Sequence, residues 1–413
     1  MYNYKLCDYV PEPKPVSSPY TIACHYYPGW KRGGADLHNG FEDLKPYPDR
    51  TPLLGYYDEA DPMTADWQIK WAVEHGINCF IYCWYRRPEN VGHPVTRDAL
   101  RFGHAIHDAL FHARYRDYMK FTIMWECSER KGAASSIEDM TDNLLPFWVE
   151  NYFSKPNYMT IDGKPVVYIY AVDTLIARLG GEDVLREGMA RCNEKIRAMG
   201  YPGIHFSCMV NGWSKQNIEY FFANHRWNCD DVEKYIPLGF DSAFQYNWHF
   251  IGKYLTDEQT ADYERTGRIP DDIVVKYQLD LMELFSKSRP EFFTLTASVM
   301  WDRNPWIKVM DIKESTLRML PHYRLDPESW KRLLLGMRKI IETLPADAIG
   351  RKIVMLDNWN EWSEGHYLCP NAGYGFAHLQ AVREVLTSFD NLPDYRLPQT
   401  LGIPCETHEY QPE

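Results

Sequence analysis

The feature that most limits the fold of this chain is a regular alternation of two kinds of apolar run. Short continuous runs rich in Val, Ile, Tyr, Phe and Cys alternate with longer runs whose apolar residues recur at helical spacing. In order, the strand-type runs are Tyr20 to Tyr27, Ile77 to Tyr85, Phe121 to Cys127, and the second arm of a hairpin within Tyr158 to Tyr170 that turns at Asp162-Gly163. Gly203 to Gly212, Asp241 to Trp248, Phe292 to Asp302 and the segment from Ile353 onward complete eight. Eight strands with helical segments between them predict a (β/α)8 barrel. An open doubly wound sheet shares this alternation, but P-G-W-K-R-G-G after Tyr27 lacks the spacing of a phosphate-binding loop. With no repeat, low-complexity tract or linker, the expectation is a single barrel domain over 1–413. It carries loop insertions at its C-terminal face, an N-terminal extension over 1–19 and a C-terminal tail over 386–413.

Helix punctuation is clear after the first strand. Asp61 reads as an N-cap with Pro62 at the first helical position, Trp67 and Trp71 share a face, and Gly76 closes the helix. Further helices are predicted over Asp98 to Lys120, Ser136 to Phe153 and Trp330 to Leu344, with a last one from near Tyr374. His104, His107 and His112 then fall in a surface helix, as inert residues.

Charge narrows the partners. The 45 basic against 57 acidic side chains leave a net charge of −12, which argues against a nucleic-acid or anionic-membrane surface and suits a neutral substrate. The 14 Trp and 29 Tyr suit a saccharide cleft as well as a large core. Cys24, Cys79, Cys83, Cys127 and Cys208 lie within strand-type runs as small core hydrophobes, without the spacing of a zinc site. A reducing compartment is favoured, and the N-terminus shows no apolar leader region, so the sequence as written reads as cytoplasmic, or as periplasmic or secreted if a signal was removed. No stretch approaches a membrane span.

Barrel active sites gather at the C-terminal ends of the strands. Those ends supply candidate substrate-binding residues His25, Tyr27, Trp84, Tyr85, Trp125, Glu126, Tyr170, Asn211, Tyr246, Trp248, Trp301, Asp302, Asn360 and His366. The last strand opens into D-N-W-N-E-W-S-E-G-H, with Glu361 and Glu364 three residues apart. On one helical turn their Cβ atoms would lie about 5–6 Å from each other. Two such carboxyls flanked by aromatics point to glycosidic-bond chemistry, with burial expected to raise the pKa of at least one. Bland readings stand beside these. A helix-start carboxylate can serve the dipole, Glu126 can pair with Arg130, Asp302 with Arg303, and His25 can be structural. His366 is placed to orient Glu364, and Asp357 to serve packing or hydrogen bonding behind the site. No metal is expected, since only His25 and His366 lie near the cleft.

These residues carry a resemblance. W-N-E-W-S-E-G-H-Y-L-C-P (Trp359 to Pro370) with Y-G-F-A-H-L-Q-A (Tyr374 to Ala381) resembles the terminal motif of glycoside hydrolase family 99 and the related WbsX-like proteins of polysaccharide loci. The blocks Ala23 to Trp30, Tyr152 to Tyr170 and Val299 to Trp306 agree in order. After the third strand the chain departs, with W-E-C-S-E where the WbsX-like pattern has W-A-N-E. The resemblance implies a barrel enzyme without cofactor, a retaining α-mannosidase-like hydrolase. In it Glu361 is the base on the substrate's own 2-hydroxyl and Glu364 the acid/base, with Asn360 beside them. The WbsX-like label also implies a glycosyltransferase or polysaccharide-assembly protein. A non-catalytic carbohydrate-binding barrel is the third reading.

Overall fold

In a computed structural model the described residues are 8–31, 40–128, 132–210, 234–248, 251–252, 254–305 and 322–402. Eight parallel strands form the core: β1 Thr21–Tyr26, β2 Cys79–Arg86, β3 Lys120–Trp125, β4 Lys164–Ile169, β5 His205–Met209, β6 Ser242–Phe244, β7 Leu295–Ser298 and β8 Ile353–Asp357. They pair in the order β6-β5-β4-β3-β2-β1-β8-β7. Registers such as Ala23↔Cys79, Cys24↔Leu356 and Trp84↔Trp125 run along it. The ring closes between β6 and the start of β7, where Ala243 N donates to Phe292 O at 2.7 Å and Thr294 N to Ala243 O at 2.9 Å. This is the expected (β/α)8 barrel.

The strands read as unbroken apolar runs because parallel strands are covered on both faces. All eight residues of β2 are buried. Inside the ring, His25, Tyr168 and Phe244 pack together, with His25 and Tyr168 rings 5.7 and 5.0 Å from Phe244. Outside it, the helix Pro62–Glu74 keeps its predicted punctuation. Asp61 accepts from Met63 N at 3.0 Å, the Trp67 and Trp71 rings lie 5.5 Å apart, and Gly76 ends it at φ +96°. The Asp162-Gly163 hairpin forms as expected, both residues at positive φ. Cys24, Cys79, Cys83, Cys127 and Cys208 are buried free thiols, with Cys127 just beyond the end of β3. Among the described residues no helix is long and apolar enough to cross a membrane.

One element differs from expectation. Asp98 to Lys120 is not a continuous helix. Leu100–Arg101 pairs antiparallel with the end of β2, and Phe102 stands at φ +62° before Gly103. Helical turns resume only at Ala105–Ala109, Leu110–His112 and Arg116–Tyr118. His107 is therefore no surface residue: its Nε2 lies 2.9 Å from the buried Tyr152 hydroxyl. His104 is drawn in too, with Nε2 3.8 Å from Glu59. Pairing with Tyr85 and Arg86, the end of β2 that runs past its registers with β1 and β3, overrides helix propensity here.

Candidate active site

Beyond β8 the chain turns into a short hairpin rather than a helical turn. Asn360–Glu361 pairs antiparallel with His366–Tyr367, which places Glu361 directly opposite His366. Glu364 sits in the turn between them. Gly365, at φ +67°, donates its N–H to Trp362 O at 3.1 Å. The turn is clamped from the loop after β7, where Asp302 N donates to Glu364 O at 3.0 Å. Arg50 Nη1 and Nη2 then hold Asp302 O and Oδ2 at 2.7 and 2.5 Å. A Cβ on residue 365 would lie 2.2 Å from Asp302 O, so the clamp requires glycine there. Gly365→Ala is expected to lower turnover more than tenfold by displacing Glu364, and to lower the denaturation midpoint, because an αL position and a backbone clash are combined. Steady-state kinetics beside chemical denaturation checks this.

The two glutamates meet on one imidazole. His366 Nε2 lies 3.0 Å from Glu361 Oε2 and 3.2 Å from Glu364 Oε2. Its Nδ1 lies 2.6 Å from Asp357 Oδ1, and Asp357 Oδ2 accepts from Ser298 Oγ at 2.6 Å. Burial alone would push the His366 pKa down. The carboxylates of Asp357 and Glu361 outweigh it, so the ring is held as an imidazolium well above its usual range. Glu361 is 6 % exposed and also accepts from the Tyr246 hydroxyl and from Asn358 Nδ2 at 3.3 Å. Burial and the Glu361 charge keep the Tyr246 phenol protonated as a donor. The Glu364 side chain is the more open of the pair, 14 % exposed against 8 % for that of Glu361. Among the described residues no arginine makes an ion pair with either carboxylate; the cation that organises them is His366.

The predicted site residues sort by the alternation of side chains along a strand. Tyr27, Tyr85 and Tyr170 stand on the carboxylate side. Their phenols are raised first by burial and also by the charge of Glu361. Tyr170 packs edge-on against Tyr246 at 5.4 Å. Glu126 is buried on the same side and accepts from Ser128 N and Oγ at 3.0 Å; Arg130 lies outside the described residues. Trp301 lies 5.0 Å from the His366 ring.

Other expectations need correction. Trp84 and Trp125 are one step out of phase and point outward, where their rings lie 5.8 and 5.4 Å from Trp148. Trp84 Nε1 donates to Tyr152 at 2.9 Å. Trp248 turns toward the helix Asp271–Ser288, with its ring 6.1 Å from Tyr277 and Nε1 bonded to Thr296 O. Asn360 is consumed behind the site, its Nδ2 on Glu59 at 2.6 Å and its Oδ1 on Tyr27 N at 2.8 Å. Asp302 pairs with Arg50 and not with Arg303. His25 is fully buried below Tyr246, 4.8 Å ring to ring, and burial lowers its pKa to about 3, so it is a neutral core residue. Asn211 lies outside the described residues.

Sequence reasoning missed Glu59, Asn358 and Arg50. Glu59 is buried, its carboxyl raised by burial, and it joins Trp30 N to Asn360. Asn358 was visible as an amide inside the motif; Glu59 and Arg50 carry no local signal, since the site residues they hold, Asn360 and Asp302, lie 301 and 252 residues away.

Glu361, Glu364 and His366 offer ligand atoms within 4.8 Å of one another, which is the spacing of a cation site. The fit is poor while His366 is protonated, because both ring nitrogens then donate and the imidazolium charge already stands where a metal would.

Comparisons with known proteins agree with the fold. The GH99 endo-α-mannosidase of Bacteroides thetaiotaomicron superposes with a TM-score of 0.55 at 13 % identity, over 88 % of this chain and 96 % of that one. A glycoside hydrolase-like protein superposes at 0.58 with 15 % identity, over 92 % and 99 %. Such identities establish the barrel and no more. The uncharacterized protein WxcX of Xanthomonas campestris pv. campestris is 23 % identical over 407 residues, 90 % of this chain. The chain spans about half the length of that relative. A family model described as Glycosyltransferase WbsX matches residues 45–382, and the chain belongs to that family.

Proposed function

We propose that this protein is a retaining glycoside hydrolase that cleaves an α-linked polysaccharide or oligosaccharide of manno or related configuration. The observation that carries this reading is the meeting of Glu361 and Glu364 on His366. In ordinary double displacement the two carboxyls approach the sugar from opposite faces. Here both come from one hairpin, which suits a reaction in which the substrate supplies its own nucleophile. Glu361, fixed by three donors, takes the proton of the sugar 2-hydroxyl as that oxygen attacks the anomeric carbon. The glycosidic C–O bond breaks as Glu364 gives its proton to the leaving oxygen. Glu364 then takes a proton from water, which opens the 1,2-anhydro sugar, and Glu361 returns its proton to the 2-oxygen. The greater openness of Glu364 suits contact with leaving group and water. Tyr27, Tyr85, Tyr170 and Trp301 would supply flat faces for sugar rings.

A barrel that only bound sugar would have no use for two crowded acids beside a buried imidazolium. The family description favours a second reading, transfer from an activated sugar, although the sequence holds no D-x-D motif for a metal–diphosphate. The test is a hydrolysis screen over defined α-linked oligosaccharides, read by mass spectrometry with anomer analysis. Cleavage with retained configuration is expected. No cleavage of any glycan, with thermal stabilisation by nucleotide sugars, would overturn hydrolysis in favour of transfer.

A further inference from the structure

Among the described residues beside the carboxylates, Arg303 is a buried cation whose N–H groups the fold leaves unanswered. Its side chain follows Asp302 on the loop that clamps Glu364, and the residue is only 5 % exposed. Nε and Nη2 are buried with no hydrogen-bond partner. Its guanidinium lies 5.4 Å from the Trp301 ring, and that ring lies 5.0 Å from His366. The adjacent carboxylate would be its natural mate, but Asp302 is bound by Arg50 at 2.5 Å and approached by His322 at 3.3 Å. Burial weakens the Arg303 charge, and the field of Glu364 partly restores it. A buried guanidinium is normally paired, since leaving its N–H groups unmet is costly. Its planar fork matches an oxyanion.

We propose that Arg303 is a substrate-binding residue that receives an anionic group, a carboxylate or a phosphate, carried by the glycan next to Glu364. The inference rests on the glycan-cleaving reading of the site and names its substrate class as acidic. It also revises the expectation of a neutral substrate drawn from net charge, which averages over the surface and says nothing of one buried cation.

The test uses the full chain with Glu364→Gln, so that binding is read without turnover. Calorimetry compares trigalacturonate, a trimannoside capped with mannose 6-phosphate, neutral mannotriose and a nucleotide sugar. At least one acidic glycan is expected to bind roughly tenfold more tightly than mannotriose, and which one does so separates carboxylate from phosphate. Adding Arg303→Gln should abolish that preference, with Arg303→Lys keeping part of it. Equal binding of acidic and neutral probes, or a preference that survives Arg303→Gln, overturns the proposal. Anion binding through Arg303 in a protein that cleaves no glycan would sink the hydrolase reading and leave the anion site standing. As a second readout, Arg303→Met should leave the ligand-free protein as stable or more so, because an unmet buried charge is removed. Marked destabilisation would mean that the guanidinium serves the fold, and would also overturn the proposal.

Discussion

Glu364→Gln is expected to lower cleavage of an unactivated oligosaccharide by roughly two to four orders of magnitude, the scale of losing a general acid–base. The amide preserves shape, and its oxygen can still accept from His366 Nε2, which lies 3.2 Å from the native carboxylate. The hairpin and its clamp onto Asp302 use the backbone of residue 364, so the fold should stand. The loss should depend on the leaving group. A dinitrophenyl glycoside departs with little protonation, so its first step suffers less, whereas the later attack of water is slowed equally. Glu361→Gln should be severe for every leaving group, because the 2-hydroxyl must be deprotonated whatever departs. Kinetics on an oligosaccharide and an aryl glycoside, with circular dichroism to verify the fold, separates these outcomes. Full activity of Glu364→Gln on both substrates would end the assignment.

The barrel was legible because its cause is local. Parallel strands covered on both faces need continuous apolar residues, and the helix after β1 announces its ends through Asp61, Pro62 and Gly76. Glu361, Glu364 and His366 were legible because one motif holds all three. What could not be read was the phase of the strand ends. Trp84 and Tyr85 are neighbours of similar character, and only the packing of Trp84 under Trp148 shows which faces the cleft. Nor could the sequence show that the acids lie on a hairpin, where His366 rather than helical spacing brings them together. The supports come from far away. Tyr246, Glu59 and Arg50 reach Glu361, Asn360 and Asp302 across separations of 115, 301 and 252 residues. The break at Phe102 likewise answers to the overhanging end of β2 that Leu100–Arg101 meets.

His366→Gln is expected to damage both stability and catalysis, and to remove a pH dependence. The imidazolium bridges Asp357, Glu361 and Glu364, all close to a fully buried ring. Without it Asp357 is left buried with Ser298 as its remaining partner, a loss on the order of 3 kcal/mol or more for breaking a buried ion pair. The two glutamates also lose their common donor, and misplacement of this kind costs about a hundredfold in rate. The sign of the pH effect follows from the folded protein holding the proton more tightly than the unfolded chain, whose histidine titrates near ~6.5. Burial opposes the charge, but Asp357 and Glu361 prevail, so the folded value is raised. The stabilisation is therefore fully present below the unfolded value and disappears as pH rises through the folded one. Wild-type stability should therefore begin to decline above about pH 6.5 and go on declining until the folded value is passed. By contrast kcat/KM, set by the folded state alone, should hold through neutrality and fall only in the alkaline range. His366→Gln should lack both falls and be weakest relative to wild type at low pH. Denaturation midpoints and rate profiles between about pH 5 and pH 10, with NMR of the imidazole nitrogens, measure each part. A His366 ring that is neutral at pH 7 would remove the cation on which the geometry of both carboxylates depends.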